Sequence, residues 1–146
     1  QTRTTETRER QGVPVLTFSR YLALIFALAL GIGEAVMNWG HWQYAPLWVV
    51  DYVIVGWLLW GFFETRRGRK IHLLFGGWAF SAGVFYMALF LSLDPELAPH
   101  IKADTTLLFL IGLLLALSLL GGLGALIARN AQQKEPSDAR NSGAPR

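Results

Sequence analysis

Four long apolar segments, separated by short polar ones, dominate the pattern of the chain. A helix needs about 20 mainly apolar residues to cross the roughly 30 Å hydrocarbon core of a bilayer. Short connections make sequential helices pack as neighbours. The predicted fold is therefore all-α, an antiparallel bundle of four transmembrane helices. The predicted spans are residues 21–39, 45–63, 71–93 and 105–128.

The two ends of the chain differ from this apolar middle. Residues 1–15 are rich in Thr, Arg and Glu, and residues 130–146 mix Gln, Lys, Ser, Pro and Gly. Segments with so few apolar residues bury too little surface to offset the entropy lost on ordering. They are predicted to be disordered cytoplasmic tails on either side of a membrane domain of residues 16–129.

The distribution of basic residues predicts the orientation of the bundle, because cytoplasmic flanks collect Lys and Arg. Of the 13 Lys and Arg residues, all except Lys102 precede the first span, separate the second from the third, or follow the fourth. Both termini are therefore predicted to be cytoplasmic. The connection between spans two and three is predicted to be a cytoplasmic basic loop of Arg66, Arg67, Arg69 and Lys70.

Composition and charge exclude several classes of protein. Hydrophobic residues make up 53% of the chain and charged residues only 16%, against roughly 25% in soluble domains. The absence of Cys from the sequence excludes a disulfide-stapled domain. The pI of about 9.6 follows from the basic cytoplasmic segments and indicates contact with anionic lipids rather than with nucleic acid. The predicted location is the cell (inner) membrane.

Two acidic residues lie inside the predicted spans, where a charge is costly and by default marks a functional site. Glu34 is in the first span and Asp51 is in the second. The rise of an α-helix places both in the outer part of two adjacent helices, at a similar depth. Two carboxyl groups at close range interact and titrate as a pair. The predicted polar cluster around them consists of Glu34, Asn38, His41, Asp51 and Tyr86.

This polar cluster has three interpretations. It pins the first two helices together, it holds a proton or a cation in a small transporter, or it binds a divalent metal. His41 and His100 are the weak candidates for metal ligands, since imidazole and carboxylate are suitable donors but no tight ligand spacing is present. The presence of Glu34 in the first of four short spans resembles the small multidrug transporters, and the resemblance covers that span only.

The chain contains six tryptophans, and they form a second candidate set. Some lie at the predicted outer boundary, where an interfacial aromatic belt is typical, and others lie deeper. They are predicted either to fill the core or to form docking surfaces for a partner or a flat ligand. The set is Trp39, Trp42, Trp48, Trp57, Trp60 and Trp78.

Small residues at i, i+4 spacing predict where helices approach closely. Ala27 and Gly31 form such a pair in the first span, and Ala79 and Gly83 form one in the third. Both pairs are predicted to lie on seams inside the bundle.

The sequence contains no recognisable catalytic motif and no cofactor motif. We therefore expect a protein that is not an enzyme and has no cofactor. The preferred expectation is a non-catalytic accessory or scaffold subunit of a larger membrane complex, with a membrane-protein partner or a second copy of itself. The alternative is a small proton- or cation-coupled transporter or ion-binding protein that uses Glu34 and Asp51.

Overall fold

A computed structural model shows four successive α-helices. The helices are α1 (Thr2–Met37), α2 (Ala45–Arg66), α3 (Ile71–Leu93) and α4 (Thr105–Asn141). The structure describes the backbone of residues 2–37, 39, 45–68, 70–94 and 105–141, and the side chains of residues 14–37, 39, 48–68, 70–94 and 105–132. All four helices are long and apolar enough to cross a membrane, which confirms the prediction of four candidate spans.

The membrane-length parts of the helices follow the predicted spans closely. The third span has the predicted bounds, and α2 and α4 begin at the predicted residues. At the two ends of the chain, α1 and α4 continue as helix through residues 2–13 and 133–141, where the sequence predicts disordered tails. Extending an existing helix adds a hydrogen bond without the cost of a new nucleus, so polar residues can continue a helix that the membrane segment has already formed.

The helices pack as a ring. Helix α1 packs against α2, α2 against α3, α3 against α4, and α4 returns to α1. Among the described residues, α1 and α3 also touch across the centre, whereas α2 and α4 do not. The core therefore lies at the centre of the ring, where α1 and α3 come closest to each other. It consists of Ala23, Phe26, Ala27, Leu30, Ile54, Leu58, Leu74, Trp78, Phe85 and Ala125.

Trp78 of α3 is the largest fully buried side chain and joins three helices. Its indole Nε1 donates a hydrogen bond to Ser19 Oγ of α1 at 3.2 Å, and Ser19 Oγ donates to the carbonyl of Gly121 of α4 at 2.8 Å. The indole lies so close to α4 that a Cβ atom on Gly121 would overlap three of its ring carbons. The glycine therefore makes the space that the tryptophan fills.

A second close approach joins α2 and α3. A Cβ atom on Gly61 would lie 2.9 Å from the Cα atom of Leu74, so at this point the two backbones pack directly against each other. Trp57 of α2 donates a hydrogen bond from its Nε1 to the carbonyl of Leu73 at 3.1 Å. These contacts hold α2 and α3 together beside the turn that connects them.

The structure separates the two small-residue pairs that the sequence places on seams. Ala27 is fully buried, and a Cβ atom on Gly31 would lie 3.6 Å from the side chain of Val55, so this pair is confirmed as a seam with α2. Ala79 and Gly83 are exposed, and a Cβ atom on Gly83 would have no other atom within 4 Å. The prediction for the second pair is wrong, because this side of α3 faces away from the bundle.

Candidate functional site

One side of α1 carries the residues that face α2. Ala27, Gly31 and Glu34 follow one another at the i, i+4, i+7 spacing that puts side chains on one face of a helix. The small residues allow α2 to approach closely, as the contact between Gly31 and Val55 shows. Glu34 is the next residue on this face, toward the end of α1, and it meets Asp51 of α2.

The carboxyl groups of Glu34 and Asp51 lie within hydrogen-bonding reach of each other. Both side chains are half-buried. A carboxylate only accepts hydrogen bonds, so a bond between two carboxyl groups needs one proton between them. The structure thus brings together the two acidic residues that the sequence places at one depth, in an arrangement suited to one shared proton.

Tyr52 also contacts α1 at this seam, and the sequence analysis did not single it out. Its hydroxyl donates a hydrogen bond to the carbonyl of Gly31 at 3.4 Å, and its ring meets Trp48 edge to face. Adjacent residues point about 100° apart around a helix. Residues on the same face as Asp51 therefore do not include Tyr52. The contact between α1 and α2 is nevertheless broad enough to include both residues.

The structure describes one other member of the predicted polar cluster, Tyr86, and places it on the outer surface of α3. Tyr86 is 51% exposed on α3, and its ring lies 4.6 Å from the ring of Phe90. This corrects its assignment to the cluster, because equal depth in the membrane says nothing about the rotation of a helix about its axis. Asn38, His41 and His100 lie outside the described residues. Among the residues that the structure does describe, no three His, Cys, Asp or Glu side chains are grouped as metal ligands would be.

The predicted tryptophan set divides between the interior and the outer surface. Trp78 is fully buried, which corrects its assignment to a docking surface. Trp57 packs between α2 and α3 and stacks on Phe80, with ring centroids 5.7 Å apart. Trp39 and Trp60 face outward, with 85% and 56% of their surface exposed.

The remaining two tryptophans lie near the start of α2. Trp48 is half-buried against Tyr52. Trp42 lies outside the described residues. Of the predicted docking set, the described side chains that remain available to a partner are therefore Trp39 and Trp60, with part of Trp48.

The basic loop connects α2 to α3. Gly68 and Lys70 both adopt left-handed backbone conformations, with φ of 72° and 54°. Arg66, Arg67 and Lys70 are exposed, and Arg67 lies 3.7 Å from the carboxylate of Glu64. Arg69 lies outside the described residues.

The outward side of α3 carries a line of residues that we call the α3 strip: Ala79, Gly83, Tyr86 and Phe90. They recur at i, i+4, i+7 and i+11, and all four are exposed. The two small residues make one part of the strip flat, and the two aromatic rings beside them form a raised end. None of the described residues packs on this flat surface.

Comparisons with known proteins return no similarity: no family model matches the chain, and no curated protein or solved structure matches it significantly.

Proposed function

We propose that this is a multi-pass protein of the cell (inner) membrane, an antiparallel bundle with both termini in the cytoplasm. The order of contacts along neighbouring helices supports the antiparallel arrangement: Tyr21 meets Phe62, whereas Glu34, further along α1, meets the earlier residue Asp51 of α2. The cytoplasmic assignment rests on the basic residues, all but one of which lie at the same end in this arrangement.

Within the membrane, the protein acts as a non-catalytic accessory or scaffold subunit that binds a transmembrane helix of a partner. The observation that carries this proposal is the outward position of Ala79 and Gly83 on the α3 strip. Lipid tails are as apolar as a helix surface, so helices associate in membranes mainly where small residues let their backbones approach. This chain already uses Gly61 in that way inside its bundle.

Replacing Gly83 with leucine tests this proposal. The side chain would fill the flat part of the α3 strip without touching the protein's own bundle, so the fold is retained and the partner is lost. Because the leucine keeps the backbones apart, we expect a roughly tenfold weaker complex, which corresponds to about 1.4 kcal/mol. Native mass spectrometry of gently solubilised protein measures the fraction of the chain in a heteromeric complex.

The matched control is Ala116→Leu, which adds the same side chain to an exposed position on α4. It should leave the heteromeric complex intact. The proposal fails if the wild-type chain is only monomeric or homodimeric, or if Gly83→Leu and Ala116→Leu reduce the complex equally.

A second candidate function is the binding of a proton or a cation in a small transporter or ion-binding protein. The hydrogen-bonding contact between Glu34 and Asp51 favours it, since two carboxyl groups inside helices of membrane-spanning length share one proton and can exchange it for a metal cation. Glu34 lies three residues before Met37, where α1 ends, so the pair is at this end of the bundle. This end is the extracytoplasmic one in the proposed orientation.

Glu34→Gln and Asp51→Asn test the second candidate. The amides keep the size and the hydrogen bonding of the acids, so we expect the unfolding free energy to change by no more than about 1 kcal/mol. Infrared difference spectra should show a carboxyl band in the wild type that responds to pH and to added sodium near neutral pH, and either variant should abolish it. Glu64→Gln, at the opposite end of α2, should leave the band unchanged. A wild-type band that responds to neither pH nor sodium would show that the pair only pins α1 to α2.

A further inference from the structure

Arg20 is a half-buried cation on α1, directly before the predicted first span of residues 21–39. Its Nε atom is buried, and none of the described residues accepts a hydrogen bond from it. The guanidinium group lies over the ring of Tyr21, 5.4 Å from the ring centroid.

No described carboxylate forms an ion pair with Arg20. Among the described acidic residues, Glu64 of α2 follows two residues after Phe62, whose ring contacts Tyr21. The carboxylate of Glu64 instead contacts Arg67 at 3.7 Å. A half-buried charge is costly unless it is paired, and the described part of the chain supplies no anionic partner for Arg20.

Arg20 lies at the basic end of the bundle, next to an apolar part of the outer surface of α1. Arg66, Lys70 and Arg129 belong to the same end of the bundle, at the close of α2, the start of α3 and the end of the apolar part of α4. Tyr21 and Leu28 are exposed on the side of α1 next to Arg20, since both lie about 80–100° from it around the helix. The site therefore offers positive charge next to a surface that suits a hydrocarbon chain.

We propose that Arg20 binds the phosphate of an anionic phospholipid headgroup, which enters beside the contact between α1 and α2 at the basic end of the bundle. A guanidinium group presents a planar fork of donors that matches two phosphate oxygens. Basic sites between helices on the cytoplasmic side are typical places for such headgroups. A lipid fits better than free phosphate, because its acyl chain covers Tyr21 and Leu28 while its phosphate reaches Arg20. The inference rests on the proposed placement in the membrane, but not on the partner helix or the carboxyl pair.

The test measures thermal unfolding of the detergent-solubilised chain with added phosphatidylglycerol, with phosphatidylcholine of the same acyl chains, and with inorganic phosphate alone. We expect phosphatidylglycerol to raise the unfolding temperature more than the other two additions. Arg20→Gln should weaken the apparent affinity for phosphatidylglycerol about tenfold, the size expected for the loss of a charge-assisted hydrogen-bonding group. Arg20→Lys, which keeps the charge without the fork, should give an intermediate loss.

The matched control is Arg67→Gln, which removes one positive charge from an exposed position at the same end. It should retain most of the affinity. Equal losses in Arg20→Gln and Arg67→Gln would overturn the site, since general attraction to the basic end would then explain the binding. A wild-type chain with no preference for phosphatidylglycerol, or one stabilised as much by inorganic phosphate, overturns the lipid assignment. Because every arm uses the isolated chain, none of these outcomes bears on the partner complex.

Discussion

Gly121→Ala is expected to destabilise the bundle by about 1–3 kcal/mol or more, the usual cost of adding atoms to a filled core. The added Cβ atom would overlap the indole of Trp78, which is fully buried. Moving the indole would also break its hydrogen bond with Ser19. Unfolding in mixed detergent micelles, followed by circular dichroism, measures the change.

Gly112→Ala provides the control on the same helix. A Cβ atom at this position would have no other atom within 4 Å, so the substitution should be neutral or stabilising by up to about 1 kcal/mol through helix propensity. An equal loss of stability in both variants would contradict the assignment of Gly121 as the residue that makes room for Trp78.

Trp78→Ala is expected to have the largest effect of any single substitution, about 3–5 kcal/mol of lost stability, as is typical for removal of a buried aromatic side chain. The substitution leaves a cavity between α1, α3 and α4, and it removes edge-to-face contact with Phe26, whose ring centroid lies 5.3 Å away. The same unfolding measurement applies. Trp60→Ala should cost far less, because 56% of Trp60 is exposed on the outer surface.

A double-mutant cycle links these two results. If Gly121→Ala destabilises the protein by overlapping the indole, the substitution should cost little once Trp78→Ala has removed the indole. Residues in direct contact typically show interaction energies of about 0.5–3 kcal/mol in such cycles. Additive effects of the two substitutions would show that Gly121 is needed for another reason.

The amino-acid sequence predicts where the helices lie better than it predicts which of their faces meet. Its four spans appear as helices of membrane-spanning length, because about 20 successive apolar residues are a strong signal that depends on nothing outside the segment. The sequence also places Glu34 and Asp51 at a similar depth in the bundle, because the rise per residue is constant and their helices are adjacent. The sequence alone therefore predicts that the two carboxyl groups lie close together.

The sequence does not determine how each helix is rotated about its own axis. Ala27 with Gly31 and Ala79 with Gly83 are the same pattern, yet the first pair is a seam and the second faces outward. Tyr86 likewise has a depth suited to the polar cluster but lies on the outer side of α3. In a water-soluble helix the polar residues would mark the outer face. In these helices the outward and inward faces are both apolar, so polarity does not show which face is turned outward.

By itself, the sequence determined that the protein has four helices of membrane-spanning length and that two acidic residues lie at one depth within them. Only the tertiary structure decided which glycine receives Trp78, which face of α3 is left open, and that Arg20 has no acceptor for its buried Nε among the described residues. The physical reason is that lipid and bundle interior are equally apolar, so hydrophobicity selects what enters the membrane but not which side faces a neighbour. That choice depends on how side chains fit between helices, which is a property of pairs of segments and not of any one of them.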